Sequence, residues 1–203
     1  ARENRKKVGQ FDLIRSIEKV MMGPERKSHL MTRKEKKIVA YHEGGHALVS
    51  SVLPHADPVH KVSIVSRGRA GGYTLKIPLE ERKLQSKKEF LDDIAMSLGG
   101  YAAEELVFGD VTTGPSNDLQ VATNLARAMV TRWGMSDAIG AMALEGDGGR
   151  AMFGTGIEDD ELSKGASAKI GSEVKKIMDE ARARAIEVLT THRKTLDAIA
   201  DKL

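Results

Sequence analysis

Cysteine is absent from all 203 residues, which removes disulfide cross-links and thiolate metal sites together and leaves His, Asp and Glu to hold any transition metal. A reducing compartment is the simpler setting for such a chain. No run of about 18 or more apolar residues occurs and no signal-peptide pattern opens the sequence, so these residues are expected to be soluble, neither crossing a membrane nor directing their own export. Aromatic residues make up only 4%, and their scarcity bears on the charge pattern. Residues 1–37 carry 12 Lys/Arg against 5 Asp/Glu, a local +7, which leaves −4 for residues 38–203 given the overall +3. A basic arm suits nucleic acid, yet Phe11 is the sole aromatic within it, and single-strand binders stack bases on interleaved rings. No nucleic-acid partner is expected. The sequence also lacks G-x-x-x-x-G-K-[ST], so it carries no phosphate loop for ATP.

What is present reads as globular, with 40% hydrophobic and 30% charged residues and enough length to bury a substantial core. Phe11, Ile14, Ile17 and Val20 or Met21 recur near helical spacing before a break at "GPERKSH". A second helix is expected from Arg33 to about Val52, with Ile38, His42, Gly45, Val49 and Val52 along one stripe and Pro54 as its stop. Two glycines inside that helix cost about 1 kcal/mol each relative to Ala, which points to close approach of a neighbour. "HKVSIVS" (60–66) and "GGYTLKIP" (71–78) alternate apolar and polar residues around "RGRA" and predict a hairpin. Amphipathic helices follow over Lys87–Gly109 and from Ser116 through Trp133. Residues 143–160 read as a Gly- and Asp-rich loop, and 161–202 as helix with a break near Thr190-Thr191-His192. The fold class is therefore mainly α, with a small sheet beside the helix that starts at Arg33.

That helix carries "YHEGGHALVS" (41–50). His42 and His46, four residues apart, lie one turn apart on the same face, and the adjacent Glu43 can point at whatever the pair binds. Neutral imidazole suits Zn²⁺, and a catalytic zinc keeps three protein ligands and one open position. Glu43 then becomes the candidate general base for peptide-bond hydrolysis. The rival account makes both histidines ordinary members of an amphipathic helix. A third ligand is required, and H-E-x-x-H-x-x-G-x-x-H is excluded because Val49 and Val52 stand where that pattern needs Gly and His. His55 and His60 sit in a loop between Pro54 and Pro58 and the first strand, where a surface role is the commoner outcome. Glu104 and Glu105 in "YAAEELVFG" and Asp118 in "TTGPSNDLQVAT" remain. Each has a bland alternative, a solvated helix face for the first two and a first-turn acid, with Ser116 or Asn117 as N-cap, for the last. Spacing does not choose among them.

"YHEGGHALV", "DPVHKVSIVSRGRAGGYT", "LGGYAAEELVFGDVTTGPSNDLQVATNLARAMVTRWGMS" and the leading "ARENRKKVGQFDLIRSIEKVMMGPERKS" together resemble the FtsH-type ATP-dependent zinc metalloproteases. The resemblance covers nearly the whole chain and is densest over residues 38–137. It implies a helical zinc-protease domain over 31–203, preceded in 1–30 by the end of an AAA ATPase module and a linker. It implies His42, His46 and Asp118 as ligands of one zinc ion and Glu43 as base, with Glu104 and Glu105 in supporting roles or as the alternative ligand. It further implies a membrane-anchored, homo-hexameric parent protein with the protease domain on the cytoplasmic side, ATP used outside this chain, and unfolded or membrane proteins as substrates. Gly44 stands where the family more often has Ala, which leaves the chemistry untouched. Gly71, Gly72, Tyr73, Thr74 and Leu75 are expected to form an edge strand able to pair with substrate backbone. A catalytically silent zinc module and a basic interaction domain are the competing functions; the intact Glu43 and the charge distribution speak against them.

Overall fold

A computed structural model describes residues 7–23, 31–66, 71–76, 83–144 and 160–203. Among these, the elements in chain order are α1 (Gln10–Met22), α2 (Arg33–Val52), β1 (Val59–Ser63), β2 (Tyr73–Lys76), α3 (Lys87–Ser97), α4 (Gly99–Phe108), α5 (Ser116–Thr131), α6 (Asp160–Thr191) and α7 (Arg193–Lys202). The expected linker over 24–30, the "RGRA" turn at 67–70, the strand end at Ile77 and Pro78, and most of the Gly- and Asp-rich loop (145–159) lie outside the described residues. No described helix is long and apolar enough to cross a membrane.

α2 begins where its capping chemistry dictates. Thr32 Oγ1 accepts from the Glu35 N–H at 3.2 Å, and Glu35 Oε2 accepts from the Thr32 N–H at 2.7 Å, a reciprocal pair that satisfies two of the helix's orphan donors. Pro54 follows its end, and Leu53 is already extended. The helix is central: it packs against α3, α4, α6, α7 and both strands. Its second half, from Glu43 to Ser50, is buried on every side, so the single expected stripe understates it. Val52, placed on that stripe, is instead 40% exposed, because the chain leaves the core in the last turn. Around α2 the core gathers Val49, Ile94, Ala102, Met129, Leu189 and Leu196, all fully buried; each large apolar side chain contributes about 1.5–3 kcal/mol by leaving water.

The expected helix over Lys87–Gly109 is two helices, interrupted at Leu98. The reason lies in α2. A Cβ on Gly45 would fall 2.4 Å from the Gly99 carbonyl oxygen and 2.7 Å from Ala103 Cβ, so the α2 and α4 backbones touch at Gly45 and Gly99. The neighbour that the helix-interior glycines called for is therefore α4.

β1 and β2 pair antiparallel, with Val62 opposite Thr74 and Ser63 opposite Tyr73 and an irregularity between Val59 and Lys61. β1 ends at Ser63, short of the Ser66 that its alternating sequence suggests. Tyr73 and Leu75 are buried while Thr74 and Lys76 are half-buried, the alternation of a strand laid on a helix layer. α5 starts one residue after Pro115 and ends at Thr131, so Trp133 lies beyond it, 45% exposed yet stacked on Phe90 at 4.5 Å between ring centroids. The break expected near residue 191 falls at His192, between α6 and α7.

Candidate metal centre

Two elements converge on one point. α2 supplies half-buried His42 and buried His46, and α5 supplies Asp118 from its first turn. His42 Nε2 lies 3.1 Å from His46 Nε2 and 3.2 Å from Asp118 Oδ2, and His46 Nε2 lies 3.5 Å from the same oxygen. Tetrahedral zinc with ligand bonds near 2.05 Å requires ligand–ligand edges of about 3.3 Å, and the three measured edges bracket that value.

The outer partners fix which atoms face inward. His46 Nδ1 is 2.8 Å from the Met96 carbonyl oxygen, which can only accept, so Nδ1 carries the proton and a neutral ring presents a lone pair at Nε2. His42 Nδ1 is 2.8 Å from Glu104 Oε1, which does the same for the second ring. Two imidazole lone pairs and a carboxylate oxygen thus face one another, an arrangement that demands positive charge at its centre. A divalent cation supplies it, and so does a proton. Burial lowers the His42 pKa, but hydrogen bonds to Asp118 and Glu104 outweigh it and push the ring up to about 9. For Asp118, burial raises the pKa and the bonds from His42 and His46 overcome it, holding the carboxyl well below the usual range. The donor set fits zinc: two nitrogens, one oxygen, and a histidine-orienting carboxylate and carbonyl behind them.

Glu43 stands beside this cluster, 6% exposed. Its Oε2 accepts from Thr74 Oγ1 at 2.8 Å. Burial pushes its pKa up against the pull of His46, His42 and the Thr74 hydroxyl. The cluster opens onto a cleft of about 910 Å³ whose wall includes Ile38, Val39, Gly71, Gly72, Tyr73 and Thr74.

Residues 29–203 match peptidase family M41. The chain belongs to this family. It is 47% identical over 201 residues to the ATP-dependent zinc metalloprotease FtsH 1 of Sphaerobacter thermophilus, covering 98% of this chain and 31% of that protein. Proteins named ATP-dependent zinc metalloprotease FtsH from Veillonella parvula and Bacillus subtilis are 45% and 44% identical, each covering 100% of this chain and 32% of the relative. The chain spans about a third of the length of these curated relatives.

Within the M41 domain the two adjacent acids of α4 part company. Glu104 is 1% exposed; one oxygen receives the His42 ring and the other accepts from the Thr112 N–H at 2.7 Å. Burial raises its pKa, but these bonds overcome it and bring it down. Glu105 faces away and forms a two-point ion pair with Arg182 of α6, so its expected place at the metal is corrected: successive helix residues point about 100° apart, and one of them must leave the site. Pro115, with no side-chain cap, precedes the first turn of α5, which displaces Ser116 and Asn117 from the N-cap role. Leu75 is buried away from the cleft wall that Gly71 to Thr74 help to form. His55 and His60 are exposed. Sequence patterns had no means of finding the Met96 carbonyl or the Thr112 N–H, since backbone groups carry no residue signature.

Proposed function

We propose that His42, His46 and Asp118 hold one zinc ion per chain and that Glu43 is the general base of peptide-bond hydrolysis. The observation that carries this reading is the triangle of Nε2, Nε2 and Oδ2 atoms with a buried carboxylate at its side. Zinc at that point supplies Lewis-acid polarisation of a carbonyl and lowers the pKa of water toward neutrality. Glu43 accepts the proton of the attacking water on a carboxylate oxygen and returns it to the departing amine nitrogen, a task eased by a pKa raised through burial. His46 and His42 stay neutral toward the ion because the Met96 carbonyl and Glu104 hold their outer protons.

β2 runs along the cleft and pairs with β1 on one side only among the described residues. Its other edge offers main-chain donors and acceptors to an extended polypeptide, which gives affinity with little side-chain selectivity. Unfolded chains and membrane proteins are the substrates this arrangement suits. In a longer parent protein, residues 1–30 are the end of an ATPase module and its linker; ATP is bound and spent by the part of that module outside this chain, the assembly is a homo-hexamer, and the whole is membrane-anchored with this domain on the cytoplasmic side.

Glu43→Gln tests the core of the proposal, because it keeps the shape and removes the base. The variant is expected to retain zinc, measured by elemental analysis, and to lose about 10²–10⁴ in turnover of an unfolded substrate. Near-normal turnover at full metal content would refute the assignment.

A further inference from the structure

We propose that Thr74 is a positioning residue for the Glu43 carboxylate, holding the base by a hydrogen bond from the strand that borders the cleft. This rests on the reading of Glu43 as base. Strand alternation decides where the Thr74 side chain can go: Tyr73 and Leu75 are buried on one face of β2, so Thr74 takes the other. There its Oγ1 lies 2.8 Å from Glu43 Oε2 and 3.3 Å from the Glu43 backbone oxygen. A hydroxyl donates one hydrogen. The backbone oxygen lies in the interior of α2, where carbonyls have helical partners, and it is the more distant acceptor. The ionised carboxylate is nearer and makes the stronger bond. The hydrogen therefore goes to Oε2.

Two results follow for the chemistry. Oε2 is committed to the strand, so proton transfer falls to Oε1, and the carboxylate plane no longer turns freely about its last bond. Gly72, the residue just before β2, closes the arrangement. A Cβ at that position would stand 2.8 Å from Glu43 Cγ and 2.9 Å from Oε1, so any other residue would push the carboxylate off its bearing. The base is thus set twice from one segment, by a donor at residue 74 in β2 and by clearance at residue 72 just before it, and the strand that would pair with substrate is also the strand that aims the base.

The experiment compares Thr74→Val, which keeps the shape without the donor, with Thr74→Ser, which keeps the donor without the methyl. Both are made in the full-length protein alongside Glu43→Gln. The readouts are kcat and KM on a quenched-fluorescent peptide and zinc content by elemental analysis. Thr74→Val is expected to lower kcat about 10- to 100-fold, the range for outer partners of a reacting group, with KM and zinc within twofold of the parent; Thr74→Ser recovers most of kcat. If Thr74→Val does not accumulate as folded protein, Thr74→Ala against Thr74→Ser makes the same contrast. An unchanged kcat in Thr74→Val beside an inactive Glu43→Gln overturns the positioning role and leaves the base in place. A serine variant as poor as the valine one overturns it in favour of methyl packing, and loss of zinc in Thr74→Val overturns it in favour of a metal-site role. An active Glu43→Gln removes both readings.

Discussion

His42 and His46 sit inside a helix that is buried on every side through its second half, whereas Asp118 enters from the first turn of α5 behind the Thr112–Pro115 turn, its side chain 27% exposed. The helical half is fixed by packing. Backbone contact at Gly45 and Gly99 sets the distance between α2 and α4, and the imidazole of His42 lies against Gly100 with no room for a methyl group. The other half has no such enclosure and must be tethered. Glu104 provides the tether, with one oxygen on His42 and the other on the Thr112 N–H, so a single buried carboxylate ties the rigid side of the centre to the loop side. Close packing can aim a ligand within a helix, but a ligand at a chain turn needs a hydrogen bond to hold it.

The largest effect is expected from Asp118→Ala, which removes the proposed ligand on α5: zinc and hydrolysis should vanish together in metal analysis and a peptide-cleavage assay. Full zinc occupancy in that variant would dissolve the two-sided description and make Glu104 the next ligand to test. Gly100→Ala attacks the helical half without touching a ligand. On helix propensity it should stabilise α4 by about 1 kcal/mol, yet its Cβ would meet three ring atoms of His42 at 2.4–2.6 Å. The expected outcome is at least an approximately tenfold loss of zinc affinity, comparable to losing an outer partner, with helical circular dichroism retained. An alanine variant with parental affinity would mean that His42 is not held by packing.

Smaller effects distinguish the tether from its neighbour. Glu104→Ala should weaken zinc binding about 10- to 100-fold, read by competition with a chelator of known affinity. Glu105→Ala should leave zinc binding unchanged and cost about 1 kcal/mol in chemical denaturation, because it removes a partly exposed ion pair to Arg182. Equal zinc losses in both variants would place Glu105 in the site after all.

The motif helix could be read closely from the sequence because its signals are local: the H-E-x-x-H spacing and Pro54 act within a few residues of the features they set. The break near His192 was legible for the same reason. Less could be read where one element answers to another. Hydrophobic periodicity runs unbroken from Lys87 to Gly109, and the interruption at Leu98 falls beside Gly99, where α4 meets α2. Choosing between Glu104 and Glu105 likewise needs the rotation of α4 about its axis, which Arg182, distant in sequence, reveals by taking Glu105. In the same way, "GGYT" reads as an edge strand, while the bond from Thr74 to Glu43 depends on how β2 lies across α2.

The contact between Gly45 and Gly99 also limits how such a domain can be engineered. Replacing helix-interior glycine by alanine is a routine way to raise Tm, but at Gly45 the added carbon would stand 2.4 Å from a carbonyl oxygen and at Gly99 2.9 Å from another. Neither backbone can yield without disturbing the site, since His46 follows Gly45 and Gly100, which follows Gly99, lies against the His42 ring. Heat tolerance must therefore be gained at the periphery, on the outward faces of α6 and α7, while the crossing itself stays restricted to the smallest residue.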